Sequence, residues 1–191
     1  YDADPESDVS ESLSTSERKQ YELRAVLQRC VNEGDITAKK DCAAAVCGRM
    51  DLGLIDGCEA YGSVESRSGS YVGGVAGICG AAIRNSFAKC ALAGGSYVGG
   101  IAGAGVTDSL TGGGSLVTGC VSLVTISRCE QYAGAIAGSG AGSFAQNRFV
   151  SDTLAGLDGR SVAGQAEPVT YQALMQDESL PDALRAFTVK F

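Results

Sequence analysis

Tyr71-Val72-Gly73-Gly74-Val75-Ala76-Gly77 is the stretch on which the fold turns. It returns as Tyr97-Val98-Gly99-Gly100-Ile101-Ala102-Gly103 and, weaker, as Tyr132-Ala133-Gly134-Ala135-Ile136-Ala137-Gly138. A decayed copy is Cys42-Ala43-Ala44-Ala45-Val46-Cys47-Gly48. The four starts lie 29, 26 and 35 residues apart. Self-similarity at such spacings is the mark of stacked structural repeats. The residues that carry it are Tyr71, Gly73, Gly74 and Gly77, then Tyr97, Gly99, Gly100 and Gly103, then Tyr132, Gly134 and Gly138.

A second block lies between the copies. Cys30-Val31-Asn32-Glu33-Gly34-Asp35-Ile36 is similar to Cys58-Glu59-Ala60-Tyr61-Gly62-Ser63-Val64. Segments beginning at Ser86 and Cys120 fill the same slot, and the one beginning at Arg148 is the last and poorest copy. An apolar residue recurs three positions ahead of the later blocks, at Ile55, Ile83, Val117 and Ala145. Each unit therefore holds short β-branched pieces separated by glycine. Pieces of three to five residues are too short to stand alone as hairpins. Stacked on equivalent pieces at ~4.8 Å they share one continuous core. Glycine would supply positive φ at the corners and close approach of backbones inside a narrow tube. The tyrosines, one per unit, would stack along one edge. The expected fold class is all-β, a parallel β-helix (β-solenoid) of about four to five coils with an N-terminal helical cap.

The Tyr-Val-Gly-Gly-Ile-Ala-Gly block, with Cys-x-Asn-x-Gly-Asp-Ile ahead of it, resembles the GLUG-motif repeats of bacterial surface proteins. The likeness covers roughly residues 30–150 and is best over 58–103. That family occurs in large secreted or wall-attached proteins, adhesin-like proteins and some IgA-directed peptidases among them. The resemblance implies an extracellular or cell-surface location in a bacterium. It carries over no catalytic residue, because the repeat motif has none.

Composition divides the 191 residues into three zones. All 27 glycines lie between Gly34 and Gly164. Residues 1–29 form an acidic arm in which Ser14-Thr15-Ser16-Glu17 fits a capping box. Leu23, Val26, Leu27 and Cys30 then share a face at helical spacing, so a capping helix is expected over about 15–29. Residues 30–164 form the repeat array. Residues 165–191 form a C-terminal cap, with a helical turn expected at Tyr171 to Met175. A strand is expected at Phe187 to Phe191, paired with or folded over the last coil.

The net charge of −7 is spread over all three zones, and none is basic. Nothing attracts a polyanion, which counts against nucleic acid. No apolar run approaches the ~20 residues of a membrane span, so no membrane insertion is expected. The absence of His excludes Ser-His and Cys-His nucleophilic pairs. Without His or a CxxC pair a zinc site is not expected, and no cofactor or metal is assigned.

The candidates for a carboxylate pair of the kind that cleaves glycosides are Asp51, Asp56, Glu59, Glu65, Asp108, Glu130, Asp152 and Asp158. They do not recur on one repeat phase in adjacent coils. Cys30 and Cys58 share a phase within disulfide range. Because Cys interchanges with Ser and Ala in that slot, a ladder of small thiols is the favoured reading.

One unit carries an insert, Ala104 to Ser115, and repeat inserts project as loops from one face. Thr107, Asp108, Ser109 and Thr111 are the candidate binding residues within it. The functional expectation is a monomeric, non-catalytic structural or adhesive module. It would bind a surface glycan or a host or neighbouring protein, or act as scaffold. A β-helix-type carbohydrate-active enzyme and a pure spacer without ligand are the alternatives.

Overall fold

The computed structural model describes residues 25–106, 114–139 and 141–186. They form a β-solenoid of about four turns. The first coil runs through β1 (Val26–Gln28), β2 (Val31–Asn32), β3 (Ile36–Ala38), β4 (Ala43–Ala44) and β5 (Cys47–Met50). The second holds β6 (Leu54–Asp56), β7 (Glu59–Ser66), β8 (Val72–Gly73) and β9 (Ala76–Cys79). The third holds β10 (Ala82–Arg84), β11 (Phe87–Ala93), β12 (Ser96–Gly99) and β13 (Ala102–Gly105). The fourth holds β14 (Leu116–Thr118), β15 (Val121–Ser122), β16 (Thr125–Arg128) and β17 (Gln131–Gly134). After it come β18 (Ser143–Ala145), β19 (Asn147–Phe149) and β20 (Ala166–Pro168). The short helices α1 (Tyr171–Met175) and α2 (Asp182–Arg185) follow.

Equivalent strands pair in parallel to give four sheets along the stack, ordered β1-β6-β10-β14-β18, β2/β3-β7-β11-β15/β16-β19-β20, β4-β8-β12-β17 and β5-β9-β13. Val72 pairs with Ala43 and Val98, and Val98 with Ala133, so the four copies of the Gly-rich block are in register. The core is a set of columns. Leu27, Ile55, Ile83, Val117 and Phe144 form one. Val64 and Leu92, Val72 and Val98, and Val75, Ile101 and Ile136 are fully enclosed in others.

The strands correct three expectations. Val26–Gln28 is not the end of a helix but a strand on β6, with Leu27 opposite Ile55. The repeat places an apolar residue three before each Cys, and that spacing imitates one helical turn. Residues 15–24 lie outside the described residues. The final unit is also displaced by one: Val121 pairs with Arg148, so Asn147, not Arg148, follows Cys120 in its column, and Phe144, not Ala145, follows Val117. The third concerns which glycines take positive φ: Gly57 and Gly119 do so at a corner, as expected, but the glycines of the Gly-rich blocks do not. Positive φ in the Gly-rich blocks falls on Tyr71 (63°), Tyr97 (58°) and Tyr132 (66°), with Cys42 (65°) in the same corner of the first coil.

The block glycines serve close approach instead. A methyl on Gly73, Gly99 or Gly134 would stand 1.8–2.0 Å from the carbonyl oxygen three residues on. On Gly77, Gly103 or Gly138 it would meet the oxygen of its own unit's tyrosine at 2.6–2.8 Å. On Gly100 it would meet Ala135 O at 1.9 Å and Ser122 Oγ at 2.1 Å. Each block folds on itself at the narrow end of the coil and leaves no room for a Cβ.

A second corner precedes the Cys column. Arg29, Gly57, Asn85, Gly119 and Gln146 all have positive φ there. The next side chain reaches back across the turn. Ser86 Oγ donates to Arg84 O at 2.8 Å, and Cys58 and Cys120 Sγ approach the carbonyls two residues back at 3.6 and 3.4 Å. Asn147 does the same work across coils. Its Oδ1 accepts from Cys120 N at 3.0 Å, and its Nδ2 donates to Val117 O and Gln165 O at 2.9 Å. The slot selects small hydrogen-bonding side chains, which is why Cys, Ser and Asn alternate in it.

After β20 pairs with β19, the tail turns along the outer flank of the β7-β11-β15-β19 sheet. The helix at Tyr171–Met175 falls where one was expected, with Thr170 as N-cap. Leu174, Leu180 and Leu184 are buried with Val121 against Phe87, Leu123 and Val150. Lys89 Nζ donates to the Ala183 and Ala186 carbonyls at the end of α2. Arg148 Nη1 donates to Asp177 Oδ2 at 2.8 Å. Residues 187–191, and the strand expected there, lie outside the described residues.

Two outcomes follow from this packing. Gly100→Ala is expected to destabilise the stack by about 3 kcal/mol through overpacking. Gly159→Ala, at φ 73° with open space beyond, should cost about 1 kcal/mol. Urea midpoints compare the two, and equal losses would remove close approach as the cause. Hydrogen bonds from Ser179 and then from Arg148 hold the Asp177 carboxyl below the usual carboxylate range. Its contribution to tail docking is therefore complete above ordinary carboxylate values of about 4 and is lost as pH falls through its lower native value. Hydrogen exchange over 171–186 should accelerate in that acid window before exchange in the core strands. Asp177→Asn should already be loosened at neutral pH.

Candidate functional site

The pairing of β11 with β16 changes register between Leu92↔Ile126 and Ala93↔Arg128. Ser127 is the extra residue, and its Oγ donates to Leu92 O at 3.3 Å. Such a bulge re-aims the side chain that follows it. Here Arg128, on the fourth coil, reaches past the third to the second. Its Nη1 donates to Arg67 O at 2.8 Å and its Nη2 to Ser66 O at 2.5 Å, with Glu65 Oε1 3.8 Å away. The third coil offers only Ala93 and Gly94 at that level, so the side chain can pass.

Beside this strap lies an open groove of about 300 Å³. Its walls are Ser63, Glu65, Ser127 and Arg128, and its floor includes Ala91 and Ala93. Polar walls over a flat methyl floor suit a hydroxyl-rich or peptide-like ligand. The carboxylate and guanidinium in the lining already face each other. Sequence reading missed this site because no motif marks it. Its one trace is that the repeat grows from 34 residues at Ala91–Thr125 to 35 at Ala93–Arg128.

Four other carboxylates, Asp35, Asp56, Asp51 and Glu59, have local partners. Asp35 accepts from Ser63 Oγ at 2.7 Å. Asp56 accepts from Gln28 Nε2 at 3.1 Å and Asn85 Nδ2 at 3.3 Å. Asp51 pairs with Arg49 at 2.9 Å. Glu59 accepts from the Tyr61 hydroxyl, and burial together with that carboxylate pushes the phenol well above its ordinary value. Burial pushes the thiols of Cys79, Cys90 and Cys120 up to about 12, which makes them poor nucleophiles. Among the described residues no cluster of His, Cys, Asp or Glu could hold a metal ion. None of the described helices is long and apolar enough to cross a membrane.

The tyrosines form a ladder on another edge. Tyr71 and Tyr97 stack at 4.8 Å between ring centroids, and Tyr97 and Tyr132 at 4.5 Å. Left-handed backbone costs a non-glycine residue about 1–2 kcal/mol. Each stacked pair returns about 0.5–1.5 kcal/mol beyond area burial. With two stacked pairs against three left-handed tyrosines, the ladder offsets about half of that strain, which is a structural task.

Thr107, Asp108, Ser109 and Thr111 lie outside the described residues, but the base of their insert is defined. Ser115 N donates to Val106 O at 3.2 Å and Val106 N to Cys79 O at 3.1 Å. Ser115 is fully buried. The insert thus leaves and rejoins the stack at adjacent points, between β13 and β14, at a corner separate from the groove. No family model, curated protein or solved structure matches this chain.

The strap has a measurable role. Arg128→Ala removes two charge-assisted hydrogen bonds and should lower stability by about 1–2 kcal/mol. Arg128→Lys should recover little, because an ammonium lacks the planar fork that serves two carbonyls. Thermal unfolding of the three proteins checks both statements.

Proposed function

We propose that this chain is a non-catalytic structural or adhesive module of a bacterial extracellular or cell-surface protein, a short β-solenoid that binds a glycan or protein ligand or acts as scaffold. The observation that carries this reading is the division of labour across the coil. Inside, apolar columns run from Leu27 to Phe144 and small hydrogen-bonding side chains tie the corners. Outside, one face carries a polar groove and one corner carries an insert whose base is fixed by Val106 and Ser115. A rigid scaffold with variation confined to one loop and one face is how binding modules separate stability from recognition. The likeness of residues 58–103 to GLUG repeats supports the surface setting.

The test is a binding screen of the purified chain against mucin, wall and plant glycans and matrix proteins. Beside it run a variant lacking residues 107–113, which spares the Val106–Ser115 bond, and the Arg128→Ala groove variant. Circular dichroism establishes that all three are folded. Binding that falls at least tenfold in one variant is the expected result and locates the site. No binding by the folded chain would reject the adhesive reading and leave a spacer. Turnover of a glycan abolished by one carboxylate substitution would replace both with an enzyme.

A further inference from the structure

We propose that Cys30 and Cys58 are an oxidisable pair, a modification site at which a small-molecule disulfide closes a covalent staple between the first and second coils. Val31 pairs with Glu59, and Glu59 N donates to Cys30 O at 2.8 Å. The two cysteines, one residue upstream, therefore face each other on adjacent parallel strands. Strands at ~4.8 Å separation place such Cα atoms inside the 4.4–6.8 Å range that a disulfide spans.

The sulfurs turn into the same corner. Cys30 Sγ approaches Gln28 O at 3.8 Å and Cys58 Sγ approaches Asp56 O at 3.6 Å, and Gln28 and Asp56 are themselves paired. Cys58 Sγ also leans toward the first coil, 3.5 Å from Leu27 O. Both are thiols in this structure. The rest of the column cannot react in this way. Ser86 occupies the next level, and the buried Cys120 lies beyond it.

Access sets the order of events. Cys30 is exposed and Cys58 buried. With oxidised glutathione as oxidant, the Cys30 thiolate attacks one sulfur of the reagent. The reagent's S–S bond breaks, a mixed disulfide forms on Cys30, and one reduced glutathione leaves. Cys58 then gives its proton to solvent as its sulfur attacks Cys30 Sγ, displacing the second glutathione. The pair loses two electrons and the oxidant gains them. The product ties down the first coil at a place where β2 contributes a two-residue ladder. Such a bond persists in an oxidising compartment.

The experiment uses the full chain, reduced, freed of reductant and treated with oxidised glutathione at neutral pH. It is then denatured, alkylated and examined by intact mass and peptide mapping. Six of the eight cysteines should alkylate, with the remaining pair lighter by two hydrogens and recovered as a Cys30–Cys58 linked peptide. Hydrogen exchange over residues 26–50 should slow, with the circular dichroism spectrum unchanged. Cys58→Ser should stop at a glutathione adduct on Cys30, and Cys120→Ser should form the staple as the parent does. Eight alkylated cysteines, a persistent adduct on Cys30 of the unsubstituted chain, or a link between other cysteines would each overturn the proposal. The parent chain's result decides the matter even where a variant fails to fold.

Discussion

The whole structure depends on backbones approaching at the narrow end of the coil more closely than any Cβ allows. In Gly73-Gly74-Val75-Ala76-Gly77 and its copies, the chain reverses within five residues while carbonyl oxygens of its own and the adjoining coil press on the glycine Cα positions. That closeness lets Val75, Ile101 and Ile136 point inward from the turn and fill the tube with medium-sized side chains. A wider turn would need larger residues inside, and the chain has no Trp and five Phe.

The rest of the coil compensates for that closure. Left-handed backbone is displaced from the crowded glycines onto the tyrosines beside them, where the side chain leaves the stack and finds an identical neighbour above or below. At the opposite corner the strain is met by a side chain that bonds back across the turn. Repetition makes both devices work. A single tyrosine in this conformation has nothing to stack on, and a single Asn147 has no neighbouring coil in which to find the Cys120 amide and the Val117 carbonyl.

Where the repeat deviates, the surface gains features. An extra residue at Ser127 throws Arg128 across two coils and creates the groove. Val106 and Ser115 bond across the base of the insert between β13 and β14, and the strands on either side keep their register. The tail lays its leucines on the flank of the third and fourth coils and of Val150 beyond them, forming a second small core. A stack whose interior is uniform can accept such changes one coil at a time, because the core side chains of each coil pack mainly on those of its neighbours.

The sequence by itself determined the repeat, its parallel stacking, the tyrosine ladder and the register of the four Gly-rich blocks. Identical side chains recur at intervals that only a stacked coil can bring together. Tertiary structure alone decided that Leu27 begins the stack as a strand, since i, i+3 spacing is shared by a helix face and by this corner. It decided that Asn147 closes the Cys column, since an amide looks nothing like a thiol until its partners are in place. It decided that the glycines of the Gly-rich blocks serve contact and the tyrosines beside them conformation, because that assignment depends on which backbone lies against which. The groove, too, arises from one inserted residue whose effect is felt two coils away, at a distance no local pattern encodes.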